Sequence, residues 1–464
     1  KGKFNIYAKK EANSWQYDSF DVSGLRLDNV DVGVAKLSGE LQLMQDDPTY
    51  GNAFKAKLQA SIQNPKIEVE ASGVFGCKDF RYWGFDAKVD GLHIPATYIT
   101  ITGFVGGAYW RMRPANTLSS QNNNKAFDLQ PDETMGLGLK AGVLGAFQSE
   151  KVASFMAMLE IATHKNGGLA YIGIDGDATI MSALGDKISA PFKQLQKGFD
   201  TQLTQLNSSI ERQTNSRLNG ILDSSEKQIV MDDSGAVKQA PIYASMSMRY
   251  DFDKKAFHAN MAAYINVAGG IIQGTGENGL AGRAVVHVSP EDWYIHIGNS
   301  KEIGFGGLSL EAKTYFMVGT YILPMPDPPA KVAEILRVSD KETRIYDSKS
   351  QLAKGSGFAF GARFAFDTGD MTAGIVYARF AAGLGADMML INYDKDTHCK
   401  NRTGSIGING WYATGQTYVY LEGELGIKIK LFFIRKRISI IKAGVAALLQ
   451  GAGPNPFWAK GYLG

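Results

Sequence analysis

Apolar and polar residues alternate along GLRLDNVDVGVAKLSGELQLM, residues 24–44. A β-strand turns successive side chains to opposite faces, so a period of two sustained over this length calls for strands and leaves little room for helix. Val30, Val32 and Val34 fall on one face, and Leu37, Leu41 and Leu43 share a face after a slip of register at Lys36.

The same period recurs along most of the chain. SFMAMLEIATHKNGGLAYIGIDGDATIM (residues 154–181) predicts a hairpin, with Lys165-Asn166-Gly167-Gly168 supplying the positive-φ residues of a tight turn. GWYATGQTYVYLEGELGIKIKLFFI (residues 410–434) is β-rich and aromatic. The chain holds 53 glycines against 14 prolines, and glycine is interleaved with alanine and aromatics, as in GFAFGARFAFDTGD (residues 357–370). That pattern predicts many strands joined by tight turns. The fold class expected is mainly β: a large twisted antiparallel meander, open or folded over as a sandwich, with one long helical insertion.

The insertion is where the period changes. Phe192, Leu195, Phe199, Leu203, Leu206 and Ile210 are spaced by three and four, and Leu218, Ile221, Leu222 and Ile229 extend the stripe. Residues 186–229 therefore predict one long amphipathic helix or two joined ones, packed on the sheet or projecting as a coiled-coil arm that takes a protein partner. At 1.5 Å per residue, ~40 residues reach roughly 60 Å. The organisation expected is a β-meander over 1–180, the helical insertion over 181–235, a hairpin region over 236–330, a linker and short helix over 331–356, and a second β-rich region over 357–464.

An internal repeat supports the meander. MSMRYDFDKKAFHANMAAYINVAGG (residues 246–270) aligns without gaps with FGARFAFDTGDMTAGIVYARFAAGL (residues 360–384), Arg249 with Arg363 and Asp253 with Asp367. Each reads as a strand, an Asp-centred turn and a long return strand. Between them, LPMPDPPAKVAEIL (residues 323–336) carries four prolines and predicts a rigid extended linker leading into a short helix. The polar stretch that follows, residues 337–357, predicts a mobile loop.

HVSPEDWYIHIG (residues 287–298) holds two histidines and two acidic residues. On a continuous strand, residues nine apart face opposite ways, and a two-histidine site would need a third ligand. The sequence instead predicts a turn at Ser289–Asp292 and a strand with Trp293, Ile295 and Ile297 on one face and Tyr294 and His296 on the other. Asp394 and Asp396 are spaced like calcium ligands, but the glycine and distal glutamate of an EF-hand loop are not in place. Asp175 and Asp177 share a strand face as a carboxylate pair, expected to face solvent. Trp83, Trp110 and Trp411 are candidates for stacking on sugars. No phosphate loop and no Gly-x-Ser-x-Gly nucleophile elbow occurs. Asn207 and Asn401 begin glycosylation sequons. Cys77 and Cys399 are the two cysteines, too few for a disulfide framework, and their pairing is left open. No residue is assigned to catalysis, cofactor binding or metal ligation, and no cofactor is expected.

Charge narrows the partners. With 49 basic and 46 acidic residues the net charge is +3, which gives no electrostatic reason to expect nucleic acid. The ends read as cut strands, so the chain is expected to be a piece of a longer protein whose other segments are its partners. One alternation points elsewhere: Phe358, Phe360, Phe364 and Phe366 share a face, with Ala359, Gly361, Arg363 and Ala365 opposite. That is the lipid-out, lumen-in pattern of a membrane strand, and it leaves membrane association open.

EDWYIHIG, YFMVGTYILPMPDPP, NGWYATGQTYVYLEGELGIKI and GPNPFW resemble the repetitive β-rich regions of very long proteins of Bacteroidetes, some of them of the TANFOR type. The resemblance covers residues 130–464, and its motifs are structural. It implies a large bacterial cell-envelope or secreted protein and brings no activity, cofactor or site residue with it. The leading expectation is a non-catalytic structural or binding segment of such a protein. The alternatives are an outer-membrane β-barrel or lipid-holding sheet, and a carbohydrate-binding or carbohydrate-active protein.

Overall fold

The computed structural model describes residues 2–11, 14–96, 99–114, 129–147, 153–180, 242–267, 272–276, 279–298, 304–307, 310–345, 356–373, 375–393, 398, 404–431 and 434–464. The long helix expected over 186–229 lies outside the described residues, as do Asp394, Asp396, Cys399 and both sequons. The chain is mainly β, and its strands form a large antiparallel sheet. It divides into two compact units, one of residues 1–182 and 245–260, the other of residues 183–244 and 261–464.

The first unit is an unbroken antiparallel meander through β1 (Gly2–Glu11), β2 (Ser14–Asp31), β3 (Ala35–Asp47), β4 (Gly51–Ile62), β5 (Ile67–Cys77), β6 (Arg81–Pro95) and β7 (Ile99–Trp110). A short two-stranded ribbon follows, β8 (Met112–Pro114) with β9 (Leu129–Pro131). The meander resumes with β10 (Met135–Phe147) against β7, then β11 (Ala153–His164) and β12 (Leu169–Ile180). Parts of β13 (Ile242–Asp251) and β14 (Ala256–Val267) belong to this unit as well.

The expected hairpin at 154–181 is present as β11–β12, turned by Gly167 and Gly168 at φ +90° and +83°. The run through Val30, Val32 and Val34 is not one strand face: β2 ends at Asp31, and Gly33 at φ +88° turns the chain into β3. Period two alone cannot show a turn when the turn residues are themselves apolar.

The second unit contains β15 (Ile272–Gly274), β16 (Leu280–Val288), β17 (Trp293–Ile297), β18 (Gly304–Gly307) and β19 (Leu310–Gly319). It continues with β20 (Ser356–Asp367), β21 (Met371–Ala373), β22 (Val376–Asn392), β23 (Trp411–Leu431), β24 (Ile434–Gly453) and β25 (Trp458–Leu463). From β19 onward the long strands pair β19–β20–β22–β23–β24–β25. Both copies of the sequence repeat are hairpins of this kind, β13 with β14 around one and β20 with β22 around the other, the second with β21 folded into its turn.

Residues 320–345 are not a free linker and loop. They carry helices α1 (Ala330–Leu336) and α2 (Asp340–Thr343), and they lie on one face of this unit's sheet. Ile322 and Met325 pack with Met317, Met389 and Ile391, and Val332 packs with Tyr418, Ala446 and Leu448. The prolines do hold an extended chain, but apolar side chains spaced along it find a surface to cover.

Many glycines serve neither turns nor disorder. On the face that carries the buried residues, tyrosines pair directly across strands with glycines: Tyr82 with Gly76, Tyr109 with Gly138, Tyr315 with Gly361, Tyr418 with Gly385 and Tyr420 with Gly383. A Cβ built on any of these glycines would fall against the ring of its partner tyrosine. The ring lies over the bare backbone and takes up the space that a glycine leaves in a strand.

Candidate functional site

The register turns the sequence alternation into continuous rows. In the first unit one cross-strand row runs Leu25, Leu41, Ala56, Gly73, Phe85, Ala108, Leu139, Ile161, Ile172. Shifting every position by one residue gives the row on the opposite face: Arg26, Glu40, Lys57, Ser72, Asp86, Gly107, Lys140, Glu160, Gly173. The first row has no polar side chain; the second carries charges of alternating sign. The second unit repeats the separation. Ile297, Phe316, Phe360, Met388, Gly415, Gly451 and Ala459 form an apolar row, and Tyr315, Gly361, Asp387, Gln416, Gln450 and Lys460 the row behind it.

Burial is inverted relative to a water-soluble sheet. Leu139 is 52% exposed, Leu384 57% and Leu449 58%, while Asp86 is 4% exposed, Glu160 1% and Gln450 0%. An antiparallel sheet in water normally buries its apolar face and wets its polar one. Here the apolar face is the outer one.

Its size decides what it means. Nine strands about 4.8 Å apart make the row from Leu25 to Ile172 roughly 40 Å wide, and the apolar positions of β10 from Leu137 to Phe147 span roughly 33 Å. The product, of the order of 1,000 Å², exceeds the roughly 300–600 Å² of the largest apolar patch on an ordinary soluble monomer. A strand run of roughly 33 Å, tilted by the ~40° usual for membrane strands, covers about the 25 Å height of a hydrocarbon-facing band. The outer face also has an aromatic rim. Phe54, Phe75, Trp83 and Trp110 pair in sequence across β4 to β7 near the strand ends, the two phenylalanine rings stacked with centroids 5.1 Å apart. Aromatic rims at this position mark the level of lipid headgroups in membrane β-proteins. Trp83 and Trp110, candidates for sugar stacking, are thus neighbours in an apolar row, and Trp411 lies at the start of β23.

The opposite face of the first unit pairs its buried charges locally. Lys140 Nζ donates to Asp86 at 3.3 Å. Glu160 accepts from Tyr109 at 2.6 Å and Tyr171 at 3.0 Å on one oxygen and from Arg249 at 3.2 Å on the other. Asp175 and Asp177 do share a face, as expected, but it is this half-buried face and not a solvent one. They belong to the charged face because Met158 and Met156 of β11 lie opposite them, in phase with Glu160.

The histidines of residues 287–298 show what a hairpin does to spacing. β16 and β17 pair so that His287 lies opposite Tyr294, which puts His287 and His296 on the same face, not on opposite faces as a continuous strand would. The Tyr294 ring stacks between them, with centroids 5.2 Å from His287 and 4.6 Å from His296. His287 Nε2 is 3.1 Å from Asp292 Oδ1, and His296 Nε2 2.9 Å from the Tyr321 carbonyl. Trp293, Ile295 and Ile297 take the outer face, as the alternation predicts. Among the described residues no group of three or more His, Cys, Asp or Glu is placed to hold a metal ion, and Cys77 is an exposed free thiol.

No protein-family model matches the chain, and no curated protein and no solved structure matches it. No helix among the described residues is long and apolar enough to cross a membrane, which leaves strands untouched by that criterion.

Proposed function

We propose that this chain is a lipid-facing β-sheet segment of a bacterial envelope protein, its outer face set against the acyl chains of a membrane and its charged face turned away from them. One observation carries the reading: in the middle rows of both units the exposed face is apolar, and Asp86, Lys140, Glu160, Asp387, Gln416 and Gln450 lie buried on the other. In water that arrangement is unfavourable by roughly 25 cal/mol for each Å² of apolar surface left wet. Against hydrocarbon it costs nothing, and the aromatic rim and band height fit the same surroundings. A sheet in hydrocarbon must have every edge strand paired, so the reading requires strand partners for the β1 and β25 edges in the membrane. The work assigned is structural: surface and length rather than chemistry at one site.

The test is a charge placed mid-row on the outer face. Leu139→Arg is expected to lower the stability of the liposome-embedded protein by about 2–4 kcal/mol, the range for arginine near the bilayer midplane. Lys140→Gln, one residue away on the other face, is expected to leave flotation of the full chain with vesicles unchanged. A chain that stays in the aqueous phase without detergent, or that embeds equally well with Leu139→Arg, sinks the reading.

A further inference from the structure

Residues 322–344 add no strand to the sheet; they cover its charged face from β19 to β25. We infer that this face lines a water path across the bilayer and that residues 322–344 are its plug, an inference that rests on the lipid-facing reading above. Strands whose outer face meets lipid turn their polar face to an interior that is either water-filled or plugged by a loop or helix.

The way the segment is held points to a removable cover. Lys460 and Tyr462 of β25 grip it only through the carbonyls of its last turn, but the three buried sheet residues that grip it each have a second partner within the sheet. Glu422, 3% exposed, accepts from Lys331 of α1 at 2.6 Å and pairs with Lys442 of β24 at 3.1 Å. Gln416 donates to the Pro326 carbonyl at 2.8 Å and to Asp387 of β22 at 2.8 Å. Gln450 donates to the Thr343 carbonyl at 2.6 Å and to Gln416 at 3.1 Å. When the segment leaves, Glu422 and both glutamines keep a partner, so no buried charge is orphaned, which is the usual penalty for opening a polar interior.

The segment also holds itself together. Arg344 and Asp327, near its two ends, pair at 3.0 Å. Ser339 and Glu342 form a reciprocal capping box on α2. Gly444 on β24 makes room for α1, since a Cβ there would press against Ile335. The contacts of Ile322, Met325 and Val332 with the sheet bias the segment toward its seat.

The experiment measures KCl current through the full chain in planar bilayers, after flotation has shown that each variant embeds. Lys331→Glu sets a like charge against Glu422. A second variant replaces residues 325–343 by a short Gly/Ser link. Both are expected to raise the mean current at least tenfold over the parent protein, with flotation unchanged. Unchanged current in embedded variants overturns the plug, and so does a parent protein that already passes the full current. A deletion variant that no longer embeds also counts against it, because the segment would then be part of the fold. Failure of the parent protein to float is a different result, and it refutes the lipid-facing reading itself.

Discussion

The two units solve one problem in different ways. In each, part of the charged sheet face is withdrawn from water and has to find partners. The first unit does so across its own strands, with Asp86 against Lys140, and with Glu160 held by Arg249, Tyr109 and Tyr171. Its β8–β9 ribbon contributes only a small lid, where Met112 and Leu129 pack with Tyr82 and Tyr109. The second unit lays a separate segment over the face and shares partners between segment and sheet. A face that satisfies itself is committed to one arrangement. A face whose buried Glu422, Gln416 and Gln450 have second partners in the sheet keeps those partners when the cover leaves.

Substitutions that remove one cation from each unit test this difference, and the largest effect is expected in the first. Arg249→Met takes the guanidinium from Glu160, which is 1% exposed. The expected loss is about 3 kcal/mol, the low end of the cost of breaking a buried pair, because both tyrosine hydroxyls still donate. Urea unfolding in detergent micelles reads it. Lys331→Met in the second unit removes a cation at 2.6 Å from a similarly buried Glu422, which keeps Lys442. A loss of about 0.5–1 kcal/mol is expected there, as for a partly exposed pair. Equal losses in the two variants would erase the distinction.

The smallest effect is that of acid on the cover. Lys442, donating to Glu334 of α1, holds that carboxyl below its ordinary value, with Lys331 adding to the effect. The Ser339 backbone N–H does the same for Glu342. A carboxyl whose folded value is depressed contributes stability that is fully present above its ordinary value of 4.5 and is lost as pH falls through the depressed one. Cleavage between residues 330 and 345 by an acid-active protease should therefore be slow at pH 6 and quicken below pH 4, with the β-strands still protected. Uniform resistance down to pH 3 would mean that the ion pairs do not hold the segment.

Much of the strand content was legible because alternation is local. The β11–β12 hairpin, the Trp293–Ile297 strand with its two faces, and both copies of the repeat follow from residues near one another in the chain. The Phe358 to Phe366 alternation already held the outer face in miniature. The readings that missed did so where a turn or a distant contact intervenes. His287 and His296 share a face because a turn lies between them. Residues 322–344 cover a sheet face because Glu422, Gln416 and Gln450 are waiting roughly a hundred residues away. The tyrosine-over-glycine pairs explain much of the glycine content, yet no window of sequence places Tyr109 over Gly138.

What the sequence determines by itself is that each strand has one apolar and one polar face, since that follows from a period of two and the identity of each residue. Which face is exposed is not in that pattern: the same alternation describes a sheet buried on its apolar side. Only the tertiary structure decides it, by aligning strand after strand so that Asp86, Lys140, Glu160 and Arg249 can meet. Charges withdrawn from water need partners within hydrogen-bonding distance, and only register brings those partners together.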